Sequence, residues 1–188
     1  MSMASAAVFL IDGFEETEAL TTVDILRRGG VEVTTVSLTG RGDAVSSRKV
    51  PVQADALFDD AKGKDFDMLV IPGGTVEYAR HEGLRTLVQK YDAAKKRLAA
   101  ICAAPLALER AGVLKDRRAV CYPGMEPQIP SAILGTENVV TDGHITTAKG
   151  PAITPFFALK LLELLCGKER ADEVAKDFLI PLISGGQR

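Results

Sequence analysis

The fold is decided by the stretch from residue 6 to residue 38, which reads AAVFLIDGFEETEALTTVDILRRGGVEVTTVSL. The apolar run Ala6–Ile11 at its start predicts a buried strand. A helical pattern follows from about Glu15 to Arg28 and stops at a pair of glycines, which is typical of a helix end. Because Val31–Leu38 is rich in β-branched residues, it predicts a second strand. The three elements form a βαβ unit, whose strands are parallel.

The same alternation of strands and helices continues along the chain. Further strands are predicted at 50–52, 68–71, 98–101, 119–121 and near Val139 and Ile145, and further helices at 84–95, 103–111, 156–165 and 169–176. This order predicts a doubly wound α/β fold, with a mostly parallel sheet and helices on both faces. No internal repeat or linker divides the sequence, so we expect one domain over residues 1–188, with the last few residues disordered.

The composition argues against several classes of function. The chain is 46% hydrophobic and 26% charged, with a formal net charge of −2 and no long basic run, so neither nucleic acid nor an anionic membrane is an expected partner. No apolar run approaches the roughly 18 residues of a membrane span, and the first residues lack a secretory signal pattern. Three cysteines without a CxxC pair predict neither a disulfide framework nor a metal site. A cytoplasmic protein in a reducing environment is the expectation.

The residues that follow the strands are candidates for the functional site, because ligands of open parallel sheets bind beyond the carboxyl ends of the strands. The most informative of these places is Leu98–Leu106, LAAICAAPL, an apolar strand that runs into a cysteine and then a helix. A nucleophile at such a bend needs small residues two positions to either side, and Ala100 and Ala104 meet this requirement. The helix N-terminus is expected to lower the pKa of Cys102. We therefore interpret Cys102 as a nucleophile.

Two further candidates follow other strands. Glu18 lies at the edge of the apolar face of the first helix, where partial burial would raise its pKa and suit it to proton transfer. Glu15 and Glu16 are better explained by the favourable position of carboxylates at a helix N-terminus. Gly73 and Gly74 follow the strand 68–71, and residues without a Cβ let backbone N–H groups approach a ligand, although such a pair is more often only a turn.

Neither histidine is placed beside the cysteine. His81 lies in a polar stretch before a helix and His144 in a turn before a strand, so ordinary surface roles are expected for both. The residues after His144 lack the glutamate of a glutamine amidotransferase. Ala103 occupies the position after the cysteine where a cysteine–histidine hydrolase often has histidine. Glu18 is therefore the leading candidate to handle the protons of Cys102.

Four motifs together resemble the ThiJ/PfpI superfamily, and within it the Parkinson-disease protein deglycase branch. The motifs are Gly13-x-Glu-Glu-x-Glu18, Val70-Ile-Pro-Gly-Gly74, Ala99-Ala-Ile-Cys-Ala-Ala-Pro105 and Lys149-Gly-Pro151. The similarity, which extends from about residue 6 to residue 182, implies a flavodoxin-like fold, a homodimer and a nucleophilic cysteine of unusually low pKa. It also implies that Cys102 is the nucleophile, that the protonated carboxyl group of Glu18 hydrogen-bonds its sulfur, and that Gly73, Gly74 and Ala103 supply backbone donors around it.

The resemblance implies an activity as well as a fold. Members of the branch are described as glyoxalases or deglycases that act on methylglyoxal, glyoxal or early glycation adducts, and as redox-responsive chaperones. An enzyme of this kind would use the Cys102 thiolate to attack an aldehyde and Glu18 to move a proton, with no metal or organic cofactor. The alternative is a redox-sensing holdase chaperone that uses oxidation of Cys102. A protease ranks last, because no histidine partner is evident.

Some residues depart from the family pattern or lie at its margins. Tyr122 stands where many members have a histidine near the cysteine. Arg28 and Arg48 match residues that border the pocket in relatives. With Tyr122 and Pro151, they are candidates for contacts to the pocket or to a dimer partner.

Overall fold

A seven-stranded sheet lies at the centre of the computed structural model, which describes residues 3–184. The strands are β1 (Ser5–Leu10), β2 (Glu32–Ser37), β3 (Asp43–Val45), β4 (Pro51–Gln53), β5 (Ala56–Leu57), β6 (Met68–Ile71), β7 (Arg97–Ile101), β8 (Arg118–Ala119), β9 (Ile133–Leu134), β10 (Val139–Asp142) and β11 (Ile145–Ala148). The helices are α1 (Glu16–Arg28), α2 (Phe58–Ala61), α3 (Glu82–Ala93), α4 (Pro105–Arg110), α5 (Thr154–Cys166), α6 (Lys168–Asp177) and α7 (Ile180–Ser184). None of these helices is long and apolar enough to cross a membrane. The expected disorder of the last few residues concerns residues outside the described range.

The order of the strands places a crevice beside β1. Across the sheet the order is β10, β11, β7, β6, β1, β2, β5, and every neighbouring pair is parallel except β10 with β11. The chain goes from β1 to β2 on one side and later returns to β6 on the other, so the winding reverses at β1. Ligands of doubly wound folds bind at this reversal. The predicted α/β fold with a mostly parallel sheet is confirmed.

Apolar side chains pack on both faces of the sheet. Along β1, Ala7 and Phe9 join one core cluster, whereas Ala6 and Val8 join the other. This alternation follows from the two-residue period of a strand. The buried runs in the sequence therefore mark strands that are covered on both faces, as parallel sheets require.

Two of the predicted strands lie outside the central sheet. The segment predicted at 50–52 forms β4, which pairs only with β3 in an antiparallel hairpin. The segment predicted at 119–121 is shortened to β8, which forms a separate two-stranded ladder with β9. Pro51 lacks the N–H that a central strand must donate, which explains the first difference. The helix predicted at 103–111 begins only at Pro105, because the preceding residues form a sharp turn.

Candidate active site

Cys102 lies at that turn, between β7 and α4, and its backbone is in the left-handed region with φ 66°. A residue with a side chain adopts this conformation only where the surroundings impose it. Here the Cys102 N–H donates to the Ala148 carbonyl at 2.9 Å, and the Ala104 N–H donates to the Ile101 carbonyl at 3.0 Å. The flanking Ala100 and Ala104 are buried. The strand–turn–helix corner expected from the sequence is therefore present, with the cysteine at its bend.

Glu18 is fully buried beside Cys102, in the first turn of α1. Its Oε2 accepts a hydrogen bond from the Gly73 N–H at 2.7 Å. Its Oε1 is buried and accepts no N–H or O–H hydrogen bond from the described residues, and the thiol of Cys102 interacts with this carboxyl group. Burial raises the pKa of Glu18 to about 7, against the lowering effect of the contacts with Cys102 and Gly73. A carboxyl group that titrates near neutral pH suits proton transfer.

The expected low pKa of Cys102 is wrong when Glu18 is ionised. Burial, together with the charge and hydrogen bond of Glu18, raises the pKa of the thiol to about 12, against the lowering effect of the N–H groups of Gly74 and Ala103. Burial therefore outweighs the dipole of the short helix α4. Once Glu18 carries a proton, its charge is gone and its carboxyl group can donate to the sulfur. A thiolate at Cys102 is therefore favoured only when Glu18 is protonated, so that the pair holds one negative charge.

Two glycines bring the loop after β6 against this pair. A Cβ at Gly73 would lie 2.5 Å from the Cys102 Cβ and 2.6 Å from the Glu18 Oε2, and a Cβ at Gly74, with φ 92°, would collide with the backbone of Glu15. The two glycines therefore do more than form a turn, because they let the loop approach Cys102 and Glu18 closely. Because the Gly73 N–H is donated to Glu18, the geometry does not support its expected role as a donor around the sulfur. The N–H groups of Gly74 and Ala103 do face the sulfur.

Replacing Gly73 by alanine is expected to destabilise the fold and separate Cys102 from Glu18. The added Cβ would also lie 2.9 Å from the Ile101 carbonyl oxygen, and shifting backbone atoms to relieve this contact costs free energy. Overpacking of this kind costs about 1–3 kcal/mol. Urea unfolding measures the loss, with Gly63→Ala as control, because a Cβ at Gly63 would meet no atom within 4 Å. Equal midpoints for the two variants would contradict this reading of the loop.

The burial of Glu18 also predicts a stability that falls as the pH rises. Its pKa is about 7 in the folded protein, compared with an ordinary value of 4.5. The folded state therefore binds more protons than the unfolded state between these values, so the free energy of unfolding decreases by about 3 kcal/mol over this range. Glu18→Gln lacks the titrating group and should exceed the wild type in stability at pH 8, with the difference shrinking toward pH 4.5. Urea unfolding across this range checks it, and a pH-independent difference would contradict it.

The remaining predicted site residues lie in different places. Tyr122 donates its backbone N–H to the Cys102 carbonyl at 2.8 Å, and its half-exposed ring packs against Gly150. Pro151 begins a short 3₁₀ turn, Pro151–Ile153, after β11. Arg48 is exposed at the tip of the β3–β4 hairpin, and its backbone N–H faces Glu16.

Arg28 does not reach the pocket of its own chain. It lies ten residues beyond Glu18 on α1, about 15 Å along the helix. Its guanidinium pairs with Asp24 at 3.0 Å and stacks over the ring of Phe178. Of the two expected roles of Arg28, only a dimer contact remains a prediction.

Both histidines have structural partners away from Cys102. The Nδ1 of His81 accepts the Leu84 N–H at the start of α3. The Nε2 of His144 lies 2.7 Å from Asp92, and the His144 side chain is only 10% exposed, so the expected surface role is wrong for this residue. Residues 3–184 contain no cluster of three or more histidine, cysteine, aspartate or glutamate side chains that could hold a metal ion.

The sequence analysis missed two contributions of β11. The Ala148 carbonyl holds the Cys102 N–H, and the Thr147 hydroxyl accepts the Val120 N–H at 2.9 Å. The second contact joins residues 27 positions apart, so no local pattern could reveal it.

Comparison with known proteins places this arrangement in a family. The model of the DJ-1/PfpI family matches residues 4–164. Protein dj-1beta of Drosophila melanogaster is 37% identical over 182 residues, which cover 94% of this chain and 97% of the relative. The Parkinson disease protein 7 homolog of Danio rerio is 29% identical over 187 residues, covering 96% and 99%.

Solved structures agree with these sequence relatives. The crystal structure of Drosophila melanogaster DJ-1beta superposes with a TM-score of 0.91 at 35% identity, covering 95% of this chain and 98% of the other. The structure of oxidized DJ-1 from Toxoplasma gondii gives a TM-score of 0.90 at 34% identity, covering 94% and 98%.

Proposed function

This chain belongs to the DJ-1/PfpI family, as its four motifs predict, and from that premise we propose that it is a cofactor-independent glyoxalase or protein deglycase. Its substrate is a small dicarbonyl such as methylglyoxal or glyoxal, or an early glycation adduct, and its product is a 2-hydroxy acid. The observation that carries the proposal is the buried pairing of Glu18 with Cys102 beside the N–H groups of Gly74 and Ala103. A nucleophile, a proton carrier and oxyanion donors are the parts that this reaction needs.

The first half of the reaction joins the substrate to the sulfur. The Cys102 thiolate forms a C–S bond to the aldehyde carbon, and the carbonyl oxygen takes the proton of Glu18 to give a hemithioacetal. As the oxygen gains charge, the N–H groups of Gly74 and Ala103 stabilise it, because they are already fixed beside the sulfur. Glu18 is then a carboxylate and is ready to act as a base.

The second half moves one hydrogen and releases the acid. Glu18 removes the hydrogen of the former aldehyde carbon as a proton and delivers it to the neighbouring carbonyl carbon. The hydroxyl proton passes to the neighbouring oxygen, which leaves a thioester of the 2-hydroxy acid. Water then breaks the C–S bond, releasing lactate from methylglyoxal or glycolate from glyoxal and restoring the thiol.

Lactate formation from methylglyoxal tests this proposal. The assay uses metal-free protein in a buffer without amines, since amines trap the aldehyde and mimic its consumption. We expect lactate from the untreated protein and none after alkylation of Cys102. Consumption of methylglyoxal with no lactate would overturn the proposed activity.

A redox-sensing holdase chaperone is the second candidate. Cys102 is 9% exposed, and the two N–H groups at its sulfur are suited to hold the oxygens of a sulfinate. A relative from Toxoplasma gondii is described as oxidized. In this candidate, two molecules of peroxide oxidise the thiol to the sulfinate, and the altered protein binds clients. Mild peroxide should then add two oxygens to Cys102 and change client binding, and a full response in Cys102→Ser would exclude this role.

We propose further that the protein is a homodimer of the reducing cytosol. Leu20 on α1 and Val50 at the β3–β4 turn are 40% and 45% exposed, and the hairpin packs on the start of α1 through the Ser47 N–H and the Phe14 carbonyl. All three cysteines are free, as expected in a reducing compartment. Light scattering should give about twice the chain mass of 20.1 kDa, whereas the mass of one chain would exclude a stable dimer.

A further inference from the structure

Both the N–H and the C=O of the peptide unit that joins Cys102 to Ala103 make contacts. Its N–H, which belongs to Ala103, faces the Cys102 sulfur. Its carbonyl, which belongs to Cys102, accepts the Tyr122 N–H at 2.8 Å. Because the peptide is planar and trans, its N–H and C=O point in opposite directions. The bond from Tyr122 therefore fixes the direction in which the Ala103 N–H points.

The segment 120–122 that carries this donor is anchored to the central sheet by one buried side chain. The Val120 N–H donates to the Oγ1 of Thr147 at 2.9 Å, and Thr147 is fully buried on β11. The segment follows β8, a strand of only two residues, and among the described residues Thr147 is the side chain that accepts a backbone N–H of the segment. The next residue of β11, Ala148, accepts the Cys102 N–H. The strand β11 thus positions both Cys102 and the segment 120–122, which orients the Ala103 N–H.

We propose that Thr147 is a positioning residue for Cys102, acting through segment 120–122 on the Ala103 N–H that faces the sulfur. Hydrogen bonds in series polarise one another, so a carbonyl that accepts from Tyr122 makes the Ala103 N–H a stronger donor. A stronger and better-aimed donor stabilises negative charge on the sulfur or on the substrate oxygen. The effect on turnover rests on the function proposed above, whereas the effect on the thiol does not.

Three variants of neighbouring threonines test the role of Thr147. Thr147→Val replaces the hydroxyl by a methyl group of similar size and leaves the Val120 N–H without its acceptor. Thr147→Ser keeps the hydroxyl. Thr146→Val is the matched control, because Thr146 is 2% exposed on the same strand and its hydroxyl pairs instead with that of Thr141 at 3.0 Å.

The measurement is the rate at which iodoacetamide alkylates Cys102 between pH 6 and pH 9, followed by peptide mass spectrometry. Thr147→Val should slow alkylation across this range by about three- to tenfold, because less thiolate is present. Thr147→Ser and Thr146→Val should stay within about twofold of the wild type. An unchanged rate in Thr147→Val, or an equal slowing in Thr146→Val, would overturn the proposal.

Two further readouts separate this proposal from folding defects and from the proposed activity. If Thr147→Val does not fold, an amide-to-ester replacement at Tyr122 removes the donor itself, and it must give the same slowing. Alkylation needs no dicarbonyl, so its result stands even where no lactate forms. Where lactate forms, Thr147→Val should lower kcat and leave KM unchanged, since Thr147 is not placed to contact the substrate. A change in KM alone would contradict positioning of the reacting groups.

Discussion

Replacing Cys102 by serine is expected to reduce lactate formation from methylglyoxal by at least about 10³-fold, the scale of loss seen when a nucleophile is removed. The hydroxyl fits the same bend and leaves the surrounding hydrogen bonds in place. It ionises far less readily than a thiol, however, and a buried alkoxide beside Glu18 is costly. Initial rates of lactate formation provide the measurement.

Cys166→Ser is the control for this prediction. Cys166 is an exposed cysteine at the end of α5, so the same atomic change there should alter the rate by less than about twofold. If Cys102→Ser retains a rate within tenfold of the wild type, the reaction does not pass through a covalent bond to this sulfur.

Replacing Glu18 by glutamine is expected to reduce kcat by about 10²- to 10⁴-fold, the usual contribution of a positioned acid–base group. The amide has nearly the same shape and still offers an oxygen to the Gly73 N–H, but it cannot take up and return a proton. Cys102 should therefore remain open to alkylation while turnover is lost. Steady-state kinetics and alkylation of the same preparation provide the two readouts.

Glu16→Gln is the matched control, because Glu16 is another carboxylate on the first turn of α1 and bonds to the hydroxyl of Ser47. It should leave turnover within about twofold of the wild type. If Glu18→Gln is as active as Glu16→Gln, the proton is carried by some other group. If it loses alkylation together with turnover, Glu18 holds the thiol in place rather than moving protons.

The layout of the fold could be predicted from sequence because its main elements carry strong periodic signals. The strand predicted at 68–71 is β6 to the residue, and the helix predicted from about Glu15 begins at Glu16. The strands β3, β5 and β9 and the helices α2 and α7 were missed, since two to five residues are too few to show a period. The pairing of β4 could not be predicted, because its partner β3 is too short to be recognised in the sequence.

The residues of the candidate site could be predicted from the sequence, but the contacts among them could not. Cys102, Glu18 and Gly73 were found because each follows the carboxyl end of a parallel strand, and these ends lie at the same edge of the sheet. The donation of the Gly73 N–H to Glu18 joins residues 55 positions apart, so no local motif specifies it. With Glu18 ionised, the pKa of Cys102 is raised where the sequence predicted a lowering, because the helix N-terminus is visible in sequence, whereas the burial that outweighs it appears only when the chain is folded.

Turnover of methylglyoxal in D₂O tests most directly whether the Cys102–Glu18 pair performs the conversion. A proton that rests on the carboxyl group of Glu18 exchanges with solvent, so the hydrogen delivered to the second carbon should include deuterium. Proton NMR of the product, in amine-free and metal-free buffer, should therefore show lactate with deuterium at C2, and Glu18→Gln should form almost none. Lactate with only protium at C2, formed at a similar rate by Glu18→Gln, would mean that the hydrogen moves directly between the two carbons, and the role assigned here to Glu18 would be wrong.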